Sequence, residues 1–103
     1  MKKIINGKKY DTETANCICV YQFSYSGDFR YVHEELYLKK TGEFFLFGEG
    51  GAMSKYAKFL GRNIGTSGDS DVFTPISVDE AKGFFEEHGD SENYEKYFGE
   101  VEE

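Results

Sequence analysis

A chain of 103 residues has the length of one domain, and at that length folding buries roughly 60–70% of the surface an open chain exposes, enough for one core without metal or disulfide. Apolar residues at 39% and aromatics at 17%, with ten Phe, eight Tyr and no Trp, exclude a disordered chain and make ring packing a main source of burial free energy. The formal net charge of -7 argues against direct nucleic-acid binding.

Lys3-Ile4-Ile5 reads as a first strand ended by Asn6-Gly7, which accepts the positive φ of a tight turn. Tyr10 to Ala15 reads as a turn or one short helical turn that Asp11 could cap. From Cys17 to Tyr25 odd and even positions alternate with period 2, a strand whose odd face (Cys17, Cys19, Tyr21, Phe23, Tyr25) is the heavier. Side chains at i and i+2 share a face about 6–7 Å apart, too far for a mutual disulfide. Both thiols are therefore expected in the core, as befits a reducing cytosol.

Ser26-Gly27-Asp28 signals a turn into a strand over Phe29–Lys39, with Glu34 and Glu35 expected to be solvated. Lys39-Lys40-Thr41-Gly42 turns into Glu43-Phe44-Phe45-Leu46-Phe47, whose unbroken apolar run predicts a central strand buried on both faces. Gly48-Glu49-Gly50-Gly51 is expected to end that strand by a bend at positive φ. Residues 48–71 form the longest irregular region, with a short helix over Ser54–Leu60 as an option, and long loops are disproportionately functional.

Val72 to Ile76 predicts a last strand, placed at an edge by Pro75, which has no N–H for a ladder. Ser77-Val78-Asp79-Glu80 fits a capping box. Val78, Ala81, Phe84, Phe85 and His88 then follow helical spacing as an inward stripe, leaving Asp79, Glu80, Glu86 and Glu87 outside. After Gly89 a second helix starts near Asp90 or Ser91, with Tyr94, Tyr97, Phe98 and Val101 inward and Glu92, Glu95 and Glu100 outward. The expected fold is α+β: an antiparallel sheet of about four or five strands with two C-terminal helices packed on it, in a single domain.

Chemistry-bearing motifs are weak. His33 and His88 lack metal-ligand spacing, and Cys-x-Cys is not the Cys-x-x-Cys of redox or zinc sites. No Gly-Lys-Ser/Thr follows the glycine run, where Glu49 would oppose a phosphate, and Ser54-Lys55 belongs to no nucleophile motif. Neither catalysis, nor a cofactor, nor a metal is expected. No apolar run reaches the roughly 20 residues of a membrane span, and Met1-Lys2-Lys3-Ile4-Ile5 leads straight into Asn6-Gly7-Lys8-Lys9, so the expectation is a cytoplasmic protein.

Charge is distributed unevenly. Residues 1–62 hold ten Lys/Arg against seven Asp/Glu, while residues 63–103 hold two against twelve. An excess of ten negative charges over the last 41 residues approaches the charge density of a nucleic-acid backbone, so a Lys/Arg-lined groove could accept it instead.

The segment from Lys3 to Ala15, the run Tyr37–Gly51 (YLKKTGEFFLFGEGG), Ser54-Lys55-Tyr56, Pro75-Ile76, Glu80-Ala81 and Tyr97-Phe98-Gly99-Glu100 resemble a family of small acidic proteins from phages, plasmids and integrative elements of Firmicutes, which is similar to small type II anti-CRISPR proteins. The resemblance implies a bacterial host cell and stoichiometric, non-catalytic inhibition of a Cas9-type effector nuclease or its guide complex. The implied partner is a basic surface of that effector. The partner-binding set is then Glu49, Tyr56, Asp79, Glu80, Glu86, Glu87, Glu92, Tyr94 and Glu95, with Tyr56 and Tyr94 as exposed anchors. A regulatory or adaptor protein of a mobile element, and a small nuclease acting on guide RNA, are the alternatives.

Overall fold

Asn6 and Gly7, at φ of 51° and 79°, turn the chain between β1 (Lys2–Ile5) and β2 (Lys8–Asp11) in the computed structural model, which describes residues 1–62, 65–99 and 101–102. Asp11 then holds a single turn, its carboxylate accepting from the Glu13 amide at 2.9 Å and its carbonyl from the Ala15 amide at 3.0 Å. Further along come β3 (Asn16–Phe23), β4 (Val32–Leu38), β5 (Phe44–Gly50), β6 (Lys58–Gly61), β7 (Gly65–Ser67), β8 (Asp69–Ile76), α1 (Val78–His88) and α2 (Ser91–Phe98).

Four of these strands form one antiparallel sheet in the order β3-β4-β5-β8, while β1-β2 and β6-β7 are separate hairpins. The expected α+β class, with both helices after the strands, is observed. The apolar run Phe44-Phe45-Leu46 is buried along the central β5, as its unbroken pattern predicts, and Pro75 lies on β8, an edge strand.

Several local expectations are corrected. A bulge between Cys17 and Cys19 sets Cys17 opposite Tyr37 and Cys19 opposite Leu36, so the two thiols lie on different faces; Cys19 is buried and Cys17 exposed. The extra residue resets the alternation, which period-2 counting cannot anticipate. β4 starts at Val32 rather than Phe29, because Asp28 draws residues 24–30 into a turn by accepting from the Ser24 hydroxyl at 2.7 Å and the Arg30 amide at 2.8 Å.

β5 also runs on to Gly50 instead of bending at Gly48, and its glycines are not at positive φ. They are small because others come close: a Cβ on Gly48 would collide with the Tyr56 hydroxyl, and one on Gly50 with Ser54. No helix forms over Ser54–Leu60; within 48–71 the end of β5 and the start of β8 flank turns and the β6–β7 hairpin, which occupy the described part of 51–68.

The sheet is buried on both faces. On one, α1 and α2 cover a cluster of Cys19, Leu36, Phe44, Leu46, Ala81 and Phe85, with Tyr94, Tyr97 and Phe98 packed against it. On the other, the β1–β2 hairpin brings Tyr10 onto Tyr37, Phe45 and Phe73. Helix α1 opens with the predicted capping box, Ser77 Oγ accepting from the Glu80 amide and Glu80 returning a bond to the Ser77 amide, both at 3.1 Å. Its stripe differs at Val78, which is exposed, and His88 stacks on Tyr21 with ring centroids 3.8 Å apart. Helix α2 starts at Ser91 behind the Asp90 cap and ends at Phe98, so Val101 lies beyond it and is exposed; Glu100 lies outside the described residues.

The hairpin is tied to the β4–β5 turn by charge. Glu43 accepts from Lys8 Nζ at 2.7 Å and from Lys39 Nζ at 3.1 Å, and the hydrogen bond from Lys8, followed by that from Lys39, lowers its pKa to about 2. The same bond raises the Lys8 pKa. A lowered carboxylate pKa contributes stability that is whole above its ordinary value of 4.5 and is lost as pH falls through about 2. A raised ammonium pKa contributes below 10.5 and is lost as pH rises through its folded-state value. We expect the Glu43 carboxyl resonance to titrate near 2 by NMR, and to move up toward its ordinary range in Lys8→Ala, where Lys39 and Thr41 still bond it; an ordinary titration in the unmodified protein would refute the tie.

Candidate functional site

Helix periodicity places the acids, and the structure keeps them outside. Phe85 and Ala81 are buried against the sheet, so the opposite side of α1 carries Asp79, Glu80, Glu86 and Glu87, all exposed. On α2, Tyr94, Tyr97 and Phe98 pack on Phe85 with ring centroids 5.7–6.0 Å away, which leaves Glu92 and Glu95 exposed.

Between the helices lies a cleft of about 360 Å³. Its floor is Phe85, Tyr94 and Val101, and its rim is Glu86, Asp90 and Glu95. Few groups of the chain offset these charges. Glu87 lies 3.5 Å from His88 Nε2, and Glu80 is committed to the cap. Among the described residues, no ion pair joins Lys82 or Lys96 to a helix carboxylate; Lys96 sits over the Tyr97 ring instead. Burial, then the nearby Glu86 carboxylate, raises the Tyr94 pKa and keeps its phenol protonated.

Comparisons with family models, curated proteins and solved structures found no match for this chain. The geometry therefore carries the functional argument. Six of the nine candidate residues are exposed on the two helices, Asp79, Glu80, Glu86 and Glu87 on α1 and Glu92 and Glu95 on α2, and of these Glu86 and Glu95 line the cleft. Tyr94 joins them as half-buried floor, packed on Phe85 and Phe98, rather than as an exposed anchor.

Glu49 and Tyr56 stand apart. Glu49 alternates with Phe45 and Phe47 along β5, and Phe45 belongs to the cluster beneath the β1–β2 hairpin, so Glu49 is on the sheet face away from the helices, where Tyr31 Oη donates to it at 3.5 Å. Tyr56 is half-buried, its hydroxyl donating to Glu34 at 2.5 Å, with Lys55 Nζ 2.8 Å from the same oxygen. It is committed to the fold.

Glu34 is the residue that sequence reading misplaces: expected to be solvated, it is 3% exposed. Its alternation with Leu36 and Leu38 was the signal that it faces inward. A second polar network lies on the opposite face, where Glu35 accepts from Tyr37 Oη at 2.8 Å and sits 3.1 Å from His33 Nε2, while His33 Nδ1 lies 3.1 Å from Gln22. Burial first, then the Glu35 bond, raises the Tyr37 pKa, so this phenol stays a donor. Among the described residues no three His, Cys, Asp or Glu side chains are placed to hold a metal ion, and no helix is long and apolar enough to cross a membrane.

Proposed function

We propose that this protein is a stoichiometric, non-catalytic inhibitor that lays the acidic face of α1 and α2 on a basic surface of a macromolecular client, a Cas9-type effector nuclease or its guide complex encoded by the bacterial host. The observation that carries this reading is the set of exposed carboxylates at Asp79, Glu86, Glu87, Glu92 and Glu95, which no lysine of the chain pairs with among the described residues. Carboxylates spaced along two adjacent helices imitate a polyanion and would compete for a groove built to hold one. The apolar floor of the cleft supplies the desolvated centre that an interface needs inside its polar rim. The effector class comes from the resemblance of the sequence to mobile-element proteins.

A non-catalytic role is supported by how the titratable clusters are bonded. Glu34 is satisfied by Lys55 and Tyr56, and Glu35 by Tyr37 and His33. Each network closes on itself.

The test is a nuclease-protection assay against a panel of type II effectors, run with the unmodified protein and with Glu86, Glu87, Glu92 and Glu95 all changed to Lys. All four side chains are exposed, so circular dichroism should be unchanged while protection is lost and inhibition weakens by about 100-fold or more. Full protection by the charge-reversed protein would rule the acidic face out.

A further inference from the structure

The sheet has two edges, and they are built differently. β8 is blunted: it carries Asp69, Asp71 and Pro75, with Asp71 held at φ 55°, and charge, proline and backbone irregularity are the devices that keep an edge from pairing with another chain. β3 has almost none of them. It reads Asn-Cys-Ile-Cys-Val-Tyr-Gln-Phe, without Lys, Arg, Asp, Glu, Gly or Pro in a chain that is 30% charged. Its one irregularity, the bulge at Cys17–Cys19, is confined to its start. From Cys19 to Phe23 the register is regular, and Val20 and Phe23 are 52% and 46% exposed.

We propose that β3 is the seam of a symmetric dimer, in which the β3 strands of two copies pair antiparallel and join two four-stranded sheets into one. Charge selects the occupant. An uncharged edge offers nothing to a basic or an acidic peptide, whereas the chain itself carries an uncharged, β-rich strand that matches it, and a two-fold axis sets that strand against its copy.

Three acids near β3 are engaged within their own chain, while Glu87, exposed beside the His88 ring that stacks on Tyr21, adds to the repulsion between copies. Glu35, across from Val20, is bonded by Tyr37 and His33. Glu34, across from Tyr21, is bonded by Tyr56 and Lys55. Asp90, near enough to act on the Cys19 thiol, caps α2 by accepting from Asn93 at 3.1 and 3.0 Å. What remains is the long-range repulsion of two net charges of -7, which salt screens. Dimerisation therefore strengthens with added salt, whereas a contact through the acidic helices weakens.

The experiment is sedimentation equilibrium of the full chain at a concentration on the order of 100 µM, which fills an interface of micromolar Kd. The expected mass is twice the 11.8 kDa of the chain, with a lower Kd at higher salt. Val20→Lys should raise Kd about tenfold or more by placing an ammonium on the edge, and Val20→Thr, which keeps the β-branch, should leave it within about threefold. A monomeric mass for the unmodified protein overturns the proposal, as does a Val20→Lys dimer that is undiminished. Amide exchange of the unmodified protein adds a readout independent of any variant: amides within Cys19–Phe23 should slow as concentration rises, and concentration-independent rates would place the seam elsewhere.

Discussion

Replacing Phe45 by Ala should lower the free energy of unfolding by about 3–5 kcal/mol, the usual cost of emptying a buried aromatic site. Phe45 is 0% exposed, and three rings close around it. Tyr37 stacks at 5.1 Å and 7°, Tyr10 meets it edge-on at 5.5 Å and 85°, and Phe73 lies at 5.8 Å. Because Tyr10 belongs to the β1–β2 hairpin, the loss also undocks that hairpin. Against a total of about 5–15 kcal/mol for a domain, that loss removes from about a fifth to all of the stability. Phe59→Ala provides the contrast: that ring is exposed on β6, so the change should stay within about 0.5 kcal/mol. Denaturant titration of both proteins decides it, and a Phe45→Ala effect below about 1 kcal/mol would mean that the hairpin is not held by this cluster.

The second large effect centres on Glu34. Tyr56→Phe should cost about 1.5–3 kcal/mol, the range for a hydrogen bond to a charged group, because the buried carboxylate would keep Lys55 alone. The loss has a pH signature. Burial first, then the bond to Glu34, raises the Tyr56 pKa, so the stabilisation is whole below the ordinary tyrosine value of 10.0 and is lost as pH rises beyond it. The unmodified protein should therefore lose more stability than Tyr56→Phe between neutral and strongly alkaline pH. Parallel loss in both would show that the hydroxyl is not held in the folded state. Gly48→Ala tests the same site from the other side, since its methyl would collide with the Tyr56 hydroxyl.

Elements whose cause is local were legible in the sequence. The run Phe44-Phe45-Leu46 announces a strand covered on both faces, Ser77 and Glu80 specify a helix start across three residues, and Asn6-Gly7 can hardly be anything but a turn. What escaped depends on partners distant in the chain. Glu34 reads as a solvated tip until Lys55 and Tyr56, 21 and 22 residues later, arrive to satisfy it. Gly48 and Gly50 read as a bend because a glycine needed for close approach looks the same as one needed for positive φ. The bulge at Cys17–Cys19 adds a residue without altering composition, and so turns one thiol outward unseen. Of the helix acids that 3.6-residue spacing turns outward, those within the described residues are exposed, whereas Tyr56 and Glu49 entered the set on residue type alone and belong to other parts of the molecule.

Helix α2 has no fully buried residue; three partly covered rings on a single side hold it to Phe85 and Phe44. A segment fastened so lightly opens at a smaller free energy than the strands beneath it, and its amides should exchange with solvent well before those of β5. Two of the six displayed carboxylates, Glu92 and Glu95, thus ride on a lightly held piece of the domain. A client that grips Glu92 and Glu95 would also tighten that piece, spending part of its affinity on ordering it.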